Sequence, residues 1–91
     1  MLTKAQPAEV IEVPNEGLVT FLDKDILLFG LNYIYAGKLT GVNDTFVKIE
    51  GAKLVYETGA FTVKGYHDAQ VLPSGTWYVQ RSAIESFGPG K

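Results

Sequence analysis

The chain contains no cysteine. Disulfide bonds and thiolate metal sites are therefore excluded, and cysteine usage leaves the redox compartment open. Its single histidine, His67, has no partner at metal-ligand spacing and reads as a loop residue. No phosphate-cradling loop is present either. Gly37-Lys38-Leu39-Thr40-Gly41 lacks the Lys-Ser/Thr pair and the strand-to-helix context of a P-loop. A carboxylate pair such as Asp44 and Glu50 has no spacing that suggests acid–base work. The longest apolar run, Ile26 to Leu31, is six residues, far short of a membrane span. The first residues include Lys4, Glu9 and Glu12, which interrupt any apolar signal-peptide region. The expectation is a soluble, intracellular (cytoplasmic) protein that is not an enzyme and carries no cofactor or metal.

A basic surplus is also missing. The net charge is −2, unevenly spread: residues 1–25 hold five acids against two lysines, while residues 26–91 hold five acids against six bases. Nucleic-acid binders usually show a clear excess of Lys and Arg. Arg81 is the only arginine.

What is present is β-patterning in a chain of 91 residues, enough for one domain with a modest core. Residues 1–13 read as a tail, in which "AEVIEV" could add an edge strand or stay mobile. The segment "NEGLVTFLDKD" reads as a short helix. Asn15 is the expected N-cap, and Leu18, Phe21 and Leu22 share one face. Ile26–Phe29 is a strand that is apolar on both faces, and "GLN" at 30–32 is a tight turn. Tyr33–Val42 follows as a strand that Gly37 and Gly41 should bend. Asn43-Asp44 is a turn, and Thr45–Glu50 a third strand continuing through "KLVYET" after a kink at Gly51. In this register Val47 and Ile49 face the core, and Phe46 and Lys48 face outward. "FTVKGYHD" extends the sheet, "LPSG" at 72–75 is a turn, and "TWYVQ" and "AIESF" are the last strands. "GPGK" is expected to be a disordered tip. A short helix and about five strongly bent strands in so short a chain suggest a small closed barrel.

The helix, the Gly37-x-Leu39-x-Gly41 element with Asp44 behind it, and "YVQRSAIESF" in that order resemble the Sm and Sm-like family, including the bacterial Hfq type. The resemblance covers roughly residues 15–58 and 76–87. It implies a mainly β fold: a short N-terminal helix followed by a five-stranded, strongly bent SH3-like (Sm-fold) barrel. The single domain would span 14–87, with a long connection between the third and fourth strands at about 53–75 and a terminal tip at 88–91. In the family, two loops build a pocket for a base of single-stranded RNA. The resemblance places Phe46 at the stacking position, Lys48 where the family has a base-reading Asn, and Arg81 at the basic position. Asn43 and Asp44 shape one loop, and Ser82 stands where Gly usually follows the basic residue. With Lys48 in place of Asn, uridine-specific readout is not implied. An aromatic face and cationic side chains nonetheless suit single-stranded RNA.

Family members form rings by pairing the fourth strand of one subunit with the fifth of the next. The last two strands here carry Trp77, Tyr78, Val79, Ile84 and Phe87 with few charges to protect an exposed edge. A cyclic homo-oligomer would satisfy every such edge. Blander roles stand beside each of these. Phe46 could be a core aromatic, Lys48 a solvated surface residue, and Arg81 a partner for an acid. Two alternatives to RNA binding are also open: a structural or adaptor ring that binds protein, consistent with the low isoelectric point of about 5.2, and a monomeric SH3-like peptide-binding module.

Overall fold

The structure is a computed structural model that describes residues 14–91. The tail at 1–13, with its "AEVIEV" segment, lies outside the described residues. Six strands form one antiparallel sheet: β1 (Asp25–Gly30), β2 (Ile34–Val42), β3 (Phe46–Glu57), β4 (Asp68–Val71), β5 (Thr76–Gln80) and β6 (Ile84–Pro89). The pairing order is β4-β3-β2-β1-β6, and β5 also pairs with β3. β2 takes one edge of β3, running from Ile34↔Val55 to Val42↔Val47. The other edge is shared: β5 pairs with Phe46–Glu50, and β4 with the far half of the strand, from Lys53 to Glu57. Among the described residues no strand pairing joins the two ends of the sheet, which is open.

Three expectations are corrected. The helix over 15–25 is a single 3₁₀ turn, Leu18–Phe21. Left-handed backbone at Asn15 (φ 62°), Gly17 (φ 86°) and Asp23 (φ 65°) brackets it on both sides. A helix that short cannot repay its nucleation cost, and Asn15 makes no cap. Backbone bonds to β2 hold the segment instead, from Asp23 N–H to the Leu39 oxygen at 2.7 Å and from Leu39 N–H to the Lys24 oxygen at 3.0 Å. They seat Leu18 in the core. There are six strands rather than five, because Asp68–Val71 pairs with β3 as a strand of its own, β4; of "FTVKGYHD" only Asp68 belongs to it, and residues 58–67 form the loop before it. The "GPGK" tip is not disordered: β6 runs to Pro89, and the Gly90 N–H donates to the Asp25 oxygen at 3.0 Å.

The core follows the alternation of the strands. Ile26, Leu28, Leu39, Val47, Ile49, Ala52 and Val79 meet with Leu18 in one cluster, most of them with no accessible surface. Leu27, on the opposite face of β1, joins Ala36 and Val55 under Phe29, Ile34 and Tyr66. β1 is therefore buried on both sides, as its unbroken apolar run predicts. Two glycines set the path of β3. Gly51 adopts φ 63° and inserts an odd residue, so the main-core position after Val47 and Ile49 is Ala52 rather than Gly51, while Val55 on the other face joins the second cluster. At Gly37 a Cβ would lie 3.0 Å from the Glu50 oxygen and 3.2 Å from the Ile49 Cβ, so glycine is what lets β2 approach β3 here.

Candidate functional site

The residues singled out from the sequence come from two connections that the sheet brings together. The first is the turn at 43–45, between β2 and β3. The Asn43 side-chain oxygen accepts from the backbone N–H groups of Thr45 and Phe46, each at 2.8 Å, and the Asn43 N–H donates to the Phe46 oxygen at 3.0 Å. This is an Asx-type closure, in which a short polar side chain takes the place of a backbone acceptor. The second connection is the 3₁₀ turn Arg81–Ala83, between β5 and β6. Its first residue bridges to the first loop twice. The Arg81 N–H donates to the Thr45 oxygen at 2.8 Å, and the guanidinium donates to the Asn43 oxygen at 2.9 Å.

The β3–β5 ladder continues the contact. Phe46 lies opposite Gln80, and Lys48 opposite Tyr78. Val47 and Ile49 point into the core with no accessible surface, so Phe46 and Lys48 share the outer face, as the register requires. Phe46 and Tyr78 pack edge to face, with centroids 5.1 Å apart and rings at 84°. Edge-to-face is a preferred aromatic geometry, and the pair stays accessible, with Tyr78 exposed and Phe46 half-buried. Asp44, Arg81 and Ser82 are exposed around it. A guanidinium has five N–H donors, and the bond to Asn43 uses one.

The five residues expected at a subunit edge separate by face. Tyr78 (56% exposed) and Phe87 (38%) point outward, and Phe87 packs edge-on against Phe21 with centroids 6.1 Å apart. Trp77 and Ile84 are half-buried against the main core, and Val79 is a core residue, 5% exposed. Tyr78 thus contacts Phe46 of the same chain, a role missing from the sequence expectation. The alternation in "TWYVQ" carries the signal for it, since Trp77 and Val79 inward leave Tyr78 and Gln80 on the face of Phe46.

Elsewhere, His67 lies 3.3 Å from Glu57 in an exposed pair, of the kind that contributes little to stability. No group of three or more His, Asp or Glu that could hold a metal exists among the described residues, and no described helix is long and apolar enough to cross a membrane. A groove of about 150 Å³ is lined by Tyr33, Tyr35, Leu54, Leu72 and Trp77. Burial raises the Tyr35 phenol above its usual pKa, with a smaller contribution from the neighbouring Tyr33. No protein-family model, curated protein or solved structure matches the chain.

Proposed function

We propose that this protein is an Sm-like subunit whose open sheet is the wall of a small barrel, that it assembles into a closed homo-oligomeric ring, and that it binds single-stranded RNA at the Asn43–Arg81 junction. One observation carries the RNA proposal: the turn at 43–45 and the turn at 81–83 are hydrogen-bonded to each other through Arg81, beside an outward aromatic at Phe46. A base stacks on Phe46. Lys48 and the free donors of Arg81 meet phosphate or base acceptors, while Asn43 and Asp44 shape the loop and Ser82 lines it. Stacking on an aromatic ring tolerates any base, so binding of this kind is sequence-permissive.

Two features support the ring. β5 pairs with β3 on one side only and β6 with β1 on one side only, so each leaves an outer edge without a strand partner among the described residues. The two strands are consecutive, joined by a three-residue turn, so one subunit presents both edges to its neighbours. Pairing β5 of one copy with β6 of the next removes both.

Native mass spectrometry with and without a short RNA tests both parts. Defined closed oligomers that take up RNA are expected. A monomer sinks the ring, and unchanged spectra with U-rich and A-rich RNA sink the RNA site. The second function class is a protein-binding adaptor. The aromatic groove of Tyr33, Tyr35 and Trp77 favours it, since aromatic-lined grooves take extended peptides. Anisotropy with RNA at two salt concentrations separates the classes, because phosphate contacts must give a salt slope.

A further inference from the structure

The loop between β3 and β4 encloses the ammonium group of Lys91. Its Nζ donates to three backbone oxygens, those of Thr58 at 2.6 Å, Ala60 at 2.8 Å and Gly65 at 2.9 Å. The same nitrogen sits 5.4 Å from the ring centroids of both Phe61 and Tyr66. The Lys91 backbone N–H donates to the Tyr66 hydroxyl at 3.1 Å. An alkylammonium has three N–H donors and no acceptor, and this loop presents three acceptors and two aromatic faces to it. Both rings lie within the distance at which the ring quadrupole attracts a cation. Glycines at Gly59 (φ 72°) and Gly65 (φ 80°) give the loop the left-handed turns that a compact carbonyl cage requires.

We propose that residues 58–67 form a receptor for a primary ammonium group, that its ligand class is the lysine side chain, and that Lys91 occupies it in cis as a latch. No described carboxylate forms an ion pair with Lys91, so recognition rests on carbonyl dipoles and π faces. That chemistry discriminates. A planar guanidinium cannot point three donors at three converging acceptors. A calcium ion takes roughly six to eight oxygen ligands with carboxylates among them, whereas residues 58–67 converge three carbonyls and contain no Asp or Glu. The latch ties the tip of the β3–β4 hairpin to the end of β6, across sequence separations of 33, 31 and 26 residues. A cavity of about 400 Å³ lined by Phe61, Val63, Lys64, Pro89 and Gly90 opens beside Lys91, leaving a route by which an alkylammonium can enter when the latch is absent.

Amide hydrogen exchange on the full chain tests this. Lys91→Met keeps most of the aliphatic stem and removes the ammonium. Exchange across residues 58–67 should rise by about tenfold or more, as expected when charge-assisted hydrogen bonds are lost. Methylammonium added to the variant should restore protection. Tetramethylammonium, which has the charge and no N–H, and potassium at equal ionic strength should not. Unchanged exchange in Lys91→Met overturns the proposal. So does a failure of methylammonium to restore protection, or equal restoration by potassium or tetramethylammonium. The RNA site does not enter this measurement, so its failure would leave the result intact.

Discussion

The Arg81 guanidinium donates to the backbone oxygen of Asn43 at 2.9 Å, across 38 residues of sequence. It joins the turn that opens β3 to the turn that closes β5, and the Asn43 side chain closes the first of these turns on itself. The two residues therefore do different work. Asn43 shapes a loop, and Arg81 fastens that loop to its neighbour while keeping most of its donors in solvent.

Asn43→Ala removes the acceptor for two backbone N–H groups. Both bonds are exposed, so water takes their place and the loss should be about 1 kcal/mol. In a domain of this size that corresponds to a fall in Tm of roughly 4–8 °C. Asn43→Asp keeps the acceptor oxygen and should melt close to the native protein. Calorimetry on the two variants decides it: equal losses would show that the side-chain oxygen is not what holds the turn.

In the proposed RNA site, Arg81 and Phe46 should fail differently. Arg81→Ala removes a phosphate partner, so the slope of log affinity against log salt should become shallower by about 0.7, the value per phosphate on single strands. Phe46→Ala removes a stacking face worth about 1–3 kcal/mol and should weaken every sequence with the slope unchanged. The double variant should lose binding while remaining oligomeric. Identical salt slopes in native and Arg81→Ala protein would remove Arg81 from the site.

Much of this arrangement is legible in the sequence because strands alternate. Fixing Val47 and Ile49 as inward also fixes Phe46 and Lys48 as outward, and Gly51 announces the shift beyond it. The 3₁₀ turn at Leu18–Phe21 was not legible in that way. Leu18, Phe21 and Leu22 have helical spacing, yet the left-handed backbone at Gly17 and Asp23 and the bonds to Leu39 are decided by tertiary contacts. The alternation around Tyr78 gives its face but not its partners, because strand pairing is long-range information: nothing near residue 78 says that Lys48 lies opposite and Phe46 beside it. The three acceptors around Lys91 are backbone oxygens, which carry no residue signature, and Phe61 and Tyr66 read as ordinary loop or strand aromatics until the fold brings Lys91 between them.

Gly37 and Gly51 make a controlled comparison. A Cβ at Gly37 meets the backbone of β3 at 3.0 Å, so Gly37→Ala must push β2 and β3 apart, at a cost of about 1–3 kcal/mol. A Cβ at Gly51 meets nothing within 4 Å, and the cost there is the left-handed backbone alone, about 1–2 kcal/mol for alanine. Asparagine tolerates that conformation, so Gly51→Asn should recover part of the loss, whereas Gly37→Asn should be worse than Gly37→Ala. Urea unfolding of the four variants provides the test, and recovery by Asn at position 37 would contradict the close approach.

Tyr35 gives a pH signature to the groove. Its phenol is raised above the usual value of 10.0, mainly because burial disfavours the phenolate and further because Tyr33 stands beside it. An unfolded chain lacks that burial, so its Tyr35 ionises first as the pH rises. Between the unfolded and folded pKa values the native state holds the extra proton. The stability from this group is therefore present in full below about pH 10 and is lost as the pH climbs through the folded value. Tyr35→Phe cannot ionise, so its unfolding free energy should fall less steeply above about pH 10 than that of the native protein. Urea melts from neutral to alkaline pH, paired with phenolate absorbance, check this directly: parallel curves for the two proteins would mean that Tyr35 titrates as an ordinary exposed phenol.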